Sequence, residues 1–396
     1  MKILITSDWY VPVVNGVVTS VCNLETELRK RGHEVRILTL SEDHTSHQER
    51  DVYYVGSLGA GKIYPNARLS LSIRNTYLEE LIAWKPDIVH SPCEFTTWLF
   101  AHHIARRTGA ALIHTYHTIY EDYTHYFSPN KALGEKVVAV FSRKVLNHVD
   151  AVIAPTRKVK RLLEKYRVEP GIFTVPTGID LERFYRKEEK GNADLAGRAY
   201  PDTRRLVTVG RLAREKNIEE ILGFLAEGRG QDYEYLIVGD GPYRPELMQK
   251  VKNLGLERRV GFTGMISPDQ VPEYYRKGDV FVCASSSETQ GLTYLEALAS
   301  GLPAVCRKDP CLEGVVIDGY NGWQYEDADG FFDGLERLFA NRKVYGEASA
   351  NACEKALDFS KEVFAGRIEE IYRIALRAKQ EGAEWNKADR RDLQAG

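Results

Sequence analysis

Short runs of β-branched and aliphatic residues alternate with helical spacings along the whole chain. In the first half the runs fall at 2–6, 34–40, 52–55, 87–90, 110–115, 151–154 and 172–176. In the second they fall at 206–210, 233–238, 259–262, 279–284 and 303–306. Between them the apolar period lengthens to that of a helix: Val17, Val21, Leu24 and Leu28 form one stripe, stopped at Gly32. Near-continuous apolar strands joined by helices imply parallel sheets covered on both faces. So many strands overfill one comfortable open sheet, and the polar, Gly-containing stretch 187–203 interrupts them as a linker would. The economical architecture is α/β, with two Rossmann-like domains of parallel strands facing one another across a cleft. The first spans 1–186 and the second 204–372, while 373–396 reads as a C-terminal helix and polar tail returning toward the first domain. An eightfold β/α barrel fits the length and the central linker less well.

Composition narrows the possibilities. With 396 residues, 43% hydrophobic and 28% charged, the chain can bury two cores. A formal charge of -2 argues against a nucleic-acid partner. That near-neutral sum hides polarity: residues 1–190 hold 26 basic side chains against 22 acidic, and the remainder 28 against 34. The segment 131–167 alone carries ten basic residues and three acidic ones. The cysteines at 22, 93, 283, 306, 311 and 353 include no Cys-x-x-Cys pair, which fits reduced thiols in a cytoplasmic protein. No apolar run approaches the roughly 18–20 residues of a membrane span. The opening MKILITS reads as a strand rather than a signal peptide.

In open parallel sheets, ligands bind beyond the carboxyl ends of the strands. The stretch SSSETQGLTYLEALASGLP at 285–303 runs from such an end through Gly291 into a helix. The amides around Gln290–Thr293 would suit a phosphate, with Glu288 before them and Glu296 one turn inside. Two carboxylates on either side of a diphosphate would serve the two ends of a nucleotide sugar. Taken alone, Glu296 reads as an exposed helix residue, and Arg211 and Lys216 as solvated surface cations.

Together with GRLAREKN at 210–217 and GDGP at 239–242, this Glu-x7-Glu pattern resembles the retaining GT-B glycosyltransferases of family 4. The resemblance covers nearly the whole chain and implies a UDP-sugar donor, no tightly bound cofactor, and no metal requirement for donor binding. It places Arg211 and Lys216 on the donor diphosphate, where a cation must stabilise the departing charge. Glu288 would contact sugar hydroxyls, Glu296 the ribose, and the amides of Gln290, Gly291, Leu292 and Thr293 sugar and phosphate. Gly264 and Met265 would lie near the base. Asn15–Gly16 matches the glycine loop that approaches the donor phosphate, where glycine tolerates a positive φ and adds no side chain. His117 matches the active-site histidine. The implied catalytic group is therefore His117, Arg211, Lys216 and Glu288.

Several motifs lead elsewhere. His114 and His117 would face opposite sides of a strand and lack a third ligand, which disfavours a metal. Asp327-Ala-Asp329 reads as a solvated loop before a helix. Gly239-Asp-Gly241 begins a dinucleotide fingerprint, but Arg244 occupies its third glycine position. No Gly-x-Ser-x-Gly is present.

HTYHTIYEDYTHY at 114–126 and SETQGLTYLEAL at 287–298 look similar to the bacterial diacylglycerol glucosyltransferases within family 4. That likeness implies transfer of glucose from UDP-glucose to the sn-3 hydroxyl of 1,2-diacylglycerol at the cytoplasmic face of the membrane. Another lipid-linked or polysaccharide acceptor is the main alternative, followed by a GT-B sugar-nucleotide epimerase and a carboxylate-pair hydrolase. Two ladders, Leu69/Ile73/Tyr77/Leu81 and Leu133/Val137/Phe141/Val145, carry basic flanks that suit peripheral attachment to an anionic membrane surface. The same ladders would equally serve as faces packed on a sheet.

Overall fold

The structure is a computed structural model that describes residues 1–60, 68–70, 75–126, 130–185 and 204–381. The expected linker 187–203 lies outside the described residues. The chain divides into two compact units, Met1–Gly178 together with the chain from Lys361, and Ile179–Ser360.

The first unit is built on strands β1 (Lys2–Thr6), β2 (Glu34–Leu40), β3 (His47–Glu49), β4 (Val52–Val55), β7 (Ile88–Ser91), β8 (Ala111–Thr115), β9 (Ala151–Ala154) and β10 (Gly171–Thr174). They form one sheet in the order β10-β9-β8-β7-β1-β2-β4-β3. All its pairs are parallel except β3 with β4. A separate two-residue ladder joins β5 (Leu58–Gly59) to β6 (Arg68–Leu69). The helices are α1 (Gly16–Lys30), α2 (Thr76–Trp84), α3 (Thr96–Thr108), α4 (Lys131–Leu146) and α5 (Arg157–Lys165). In α1 the apolar stripe turns inward through Val18, Val21, Leu24 and Leu28. There it meets Ile3 and Ile5 of β1 and the C-terminal helix α12 (Lys361–Glu381), whose Ile368, Ile371 and Tyr372 complete this core. Position 373 therefore falls inside α12 rather than at its start.

The ladder expected over 69–81 is not one helix. Leu69 lies in β6, Ile73 falls outside the described residues, and α2 starts only after Asn75, whose side chain caps Tyr77 N at 2.9 Å. An Asn cap resets the chain whatever the apolar spacing before it.

The second unit has one wholly parallel sheet, ordered β13-β12-β11-β14-β15-β16. Its strands are β11 (Arg205–Val209), β12 (Glu234–Val238), β13 (Val260–Phe262), β14 (Val280–Cys283), β15 (Ala304–Arg307) and β16 (Gly322–Tyr325). The order reverses between β11 and β14, which is where such sheets open a crevice. Helices α6 (Ile218–Ala226), α7 (Arg244–Asn253), α8 (Val271–Lys277), α9 (Leu292–Ala299), α10 (Ala328–Leu338) and α11 (Arg342–Leu357) belong to this unit. Two apolar clusters line the sheet, one including Phe331, Phe332 and Leu335 of α10, the other Leu295 and Leu298 of α9. Strand β16 was not anticipated: GWQY lies on the sheet edge with two of four residues only half-buried, so no apolar run marks it.

No described helix is long and apolar enough to cross a membrane. None of the cysteines is in a disulfide, and Cys93, Cys283, Cys306 and Cys311 are buried.

Candidate active site

In the second unit, the chain leaving β11 is locked to the chain leaving β12. Leu212 N donates to Asp240 O at 2.9 Å and Tyr243 N to Leu212 O at 3.0 Å. The approach is so close that a Cβ on Gly239, at φ 124°, would lie 2.1 Å from Gly210 O. This brace positions Arg211 and the turn Arg214–Lys216, which ends on Lys216. Arg211 is exposed and paired with Glu215. Lys216 Nζ donates to Glu288 Oε1, with side-chain exposures of 28% and 14%. The cation after β11 is thereby tied to the loop after β14.

That loop leads into α9 through Gly291, which has φ 74°. A Cβ there would sit 2.3 Å from the Tyr294 ring, so both backbone and space demand glycine. Gln290 is buried, and Leu292 and Thr293 are half-buried at the helix opening. Glu296 is half-buried and accepts a hydrogen bond from Tyr275 Oη at 2.9 Å. Burial pushes its carboxyl above the usual range, while the Tyr275 hydrogen bond and the Arg183 charge hold it down. Arg211, Lys216, Glu288, Gln290–Thr293 and Glu296 thus gather at the ends of two adjoining strands.

Gly264 and Met265 lie farther along, after β13. Gly264 bridges to Gly239 and has φ 70°, with the Arg244 guanidinium packed over it. Arg244 pairs with Asp240 at 3.0 Å, and Met265 is exposed. The third-glycine position of the rejected fingerprint is therefore an ion-paired arginine.

In the first unit, Asn15 caps α1 by accepting from Val18 N at 2.9 Å. Gly16 is the first helical residue and does not adopt a positive φ, contrary to the conformational argument from the sequence. The turn is made by Asn15 itself, which is extended at φ -159°. What Gly16 contributes is the absence of a side chain at the helix opening.

His117 lies beyond the end of β8, not on the strand with His114. Desolvation, reinforced by His114, lowers its pKa to about 3, so its imidazole is neutral near pH 7. A neutral ring can donate one hydrogen bond and accept another. His114 is wholly buried with Nε2 3.2 Å from Glu94 Oε1, and Tyr120 Oη donates to Glu94 Oε2 at 2.5 Å. Among the described residues no group of three His, Cys, Asp or Glu converges as metal ligands would. Asp327 caps α10 through Gly330 N at 2.9 Å and Asp329, in the first turn, pairs with Arg229, so the motif opens the helix itself rather than forming a loop before it.

Sequence reasoning missed Asp8, Cys93, Glu94 and Tyr120. Asp8 is buried and accepts from Thr97 N at 2.9 Å, while its own N–H meets Cys93 Sγ at 3.4 Å. Burial raises the Asp8 pKa to about 6, against the lowering effect of the Thr97 hydrogen bonds and with help from Glu94. The available signal was position: Asp8, Cys93 and Glu94 follow β1 and β7, neighbours in the sheet, just past their carboxyl ends.

Residues 14–183 match the sequence family Glycosyltransferase Family 4, and residues 195–355 match Glycosyl transferases group 1. The chain is 34% identical over 386 residues to an alpha-monoglucosyldiacylglycerol synthase of Streptococcus pneumoniae, covering 95% of this chain and 86% of that protein. It is 30% identical over 387 residues to a synthase of the same name from Acholeplasma laidlawii, covering 94% and 96%. Among solved structures, sucrose-phosphate synthase from Thermosynechococcus elongatus superposes with a TM-score of 0.72 at 20% identity, covering 96% of this chain and 100% of that one. The fold likeness agrees with the two-domain α/β, GT-B expectation.

Proposed function

The chain belongs to glycosyltransferase family 4, and from that premise we propose that it moves glucose from UDP-glucose to the sn-3 hydroxyl of 1,2-diacylglycerol. The products are alpha-monoglucosyldiacylglycerol and UDP. At the coarser level the chain is a sugar-nucleotide-dependent hexosyltransferase. The observation that supports the reading is the Lys216–Glu288 pair, which joins a cation to a carboxylate in the loop that leads into α9.

In this reading Lys216 and Arg211 neutralise the departing diphosphate together with the amides of 290–293. Glu288 accepts from donor-sugar hydroxyls, Glu296 from the ribose, and Gly264 and Met265 border the base. These cations supply the charge a metal would otherwise bring, so donor binding is assigned no metal. In the first unit Asn15 and Gly16 offer amides toward the phosphate, and neutral His117 donates to the sugar. The C1–O bond to phosphate breaks as the acceptor oxygen bonds C1 on the same face, and the acceptor proton passes to the leaving phosphate. Retention follows. The protein works as a peripheral enzyme on the cytoplasmic face of the cell membrane, where its acceptor resides. Support for the lipid acceptor comes from the two glycolipid synthases among its relatives.

The test is a panel of UDP- and GDP-sugars with lipid and polysaccharide acceptors in mixed micelles, products read by mass spectrometry. A hexosyl-diacylglycerol formed best from UDP-glucose supports the reading. Preferred transfer to a polysaccharide or another lipid-linked acceptor would replace it with the main alternative, and isomerised donor without acceptor would indicate an epimerase.

A further inference from the structure

We propose that α4, with Phe95 and Leu99 beside it, is the surface by which this protein enters the acyl layer of an anionic lipid bilayer. This deepens the proposed membrane attachment and rests on it, but not on the identity of the acceptor. A helix lying on a sheet needs one apolar face, and α4 has two. Gly134, Val138, Ser142 and Val145 are buried. Leu133, Val137, Val140 and Phe141, spaced i, i+4, i+7 and i+8, are 57%, 53%, 56% and 37% exposed. Of the ladder read in the sequence, only Val145 packs inward.

The exposed face continues beyond the helix. Phe95 and Leu99, at the opening of α3, are 44% and 43% exposed. The Phe95 ring stacks on Phe141, with centroids 6.0 Å apart and planes inclined by 22°. Such a contiguous apolar patch marks an interaction surface, unlike single exposed residues.

Charge identifies the occupant. Lys131, Lys136, Arg143 and Lys144 oppose Glu135 alone on α4, with Lys136 and Arg143 along one flank of the apolar arc. The following α5 adds Arg157, Lys158, Lys160, Arg161 and Lys165 against Glu164. Basic flanks around an apolar face match anionic headgroups over acyl chains. A second copy docked symmetrically on the same face would set these cations against one another.

The test is sedimentation of the full chain with phosphatidylglycerol–phosphatidylcholine vesicles that lack diacylglycerol, at low salt and at about 0.5 M salt. Binding is expected to fall about tenfold or more in Leu133→Ser/Val137→Ser/Phe141→Ser, including the part that survives high salt. Lys136→Gln/Arg143→Gln/Lys144→Gln should lose only the salt-sensitive part. As a check that does not depend on a disruptive variant, Phe141→Trp should gain fluorescence that brominated acyl chains quench. Wild-type vesicle binding by the folded serine variant, or an unquenched Phe141→Trp on bound protein, would overturn the proposal. A dimer lost in the serine variant with vesicle binding intact would overturn it in favour of self-association. If the vesicle results hold while diacylglycerol is not glucosylated, the surface stands and the acceptor assignment falls.

Discussion

Lys216, on the turn after β11, forms an ion pair with Glu288, on the loop after β14, across the point where the strand order of its sheet reverses. In the proposed reaction one side chain would carry the charge a leaving diphosphate needs, and the other would accept from sugar hydroxyls. Their pairing keeps each in place before substrate arrives. Lys216→Ala should reduce kcat/KM by about 100-fold or more while leaving the thermal unfolding midpoint nearly unchanged. Steady-state kinetics beside calorimetry would check this. Near-normal turnover in a folded variant would remove Lys216 from the phosphate site.

Gly291 offers a controlled comparison. Gly291 and Gly314 have nearly the same φ, 74° and 75°, but a Cβ at 291 meets the Tyr294 ring while 314 faces open space. Alanine at either position should cost about 1–3 kcal/mol of stability from backbone strain. Only Gly291→Ala should also lose activity, by about tenfold or more, because the added Cβ would push on the buried Tyr294 ring and displace the opening of α9 that carries it. Equal activity in the two variants would contradict the role given to the α9 opening.

Glu296 owes its hydrogen-bond geometry to Tyr275. Burial raises the carboxyl pKa and the tyrosine hydroxyl opposes that rise, so Tyr275→Phe should move it higher still. In the proposed reaction Glu296 would accept from the ribose hydroxyls, which its ionised carboxylate does best. The pH below which donor KM climbs should therefore move upward in the variant, with kcat changing less. A KM profile that superposes on the wild type would separate Glu296 from donor binding.

Asp8 links the first unit to pH. Its folded pKa of about 6 lies above the ordinary 3.8, so protonation stabilises the fold. That contribution is complete below pH 3.8 and is lost as pH rises through 6, amounting to up to about 3 kcal/mol. Asp8→Asn keeps an oxygen for Thr97 N and does not ionise. Relative to this variant, the wild type should lose stability between pH 4.5 and 7.5 by urea unfolding, and a constant difference would refute the shift.

The sequence revealed the sheets well because buried parallel strands are written as unbroken apolar runs. It brought the candidate donor-side residues together because they follow strand ends in motifs that resemble those of family 4, and the structure gathers most of them at the ends of β11 and β14. Other features depend on pairings that no local pattern records. Tyr275 reaches Glu296 from a different helix, and Glu94 is joined to His114 and Tyr120 only once β7 and β8 lie side by side. The α4 ladder shows the limit most clearly. Its spacing was visible, but which of its apolar residues face the core required the packed helix. Apolar periodicity also overran the start of α2, where Asn75 sets the boundary.

The central claim is tested most directly by following UDP-[1-13C]glucose with 1,2-diacylglycerol in mixed micelles by 13C NMR. The anomeric signal should move to a single α-glucoside of the sn-3 oxygen as UDP appears. A β-glucoside, labelled free glucose as the main product, or a labelled nucleotide sugar of altered configuration would contradict it.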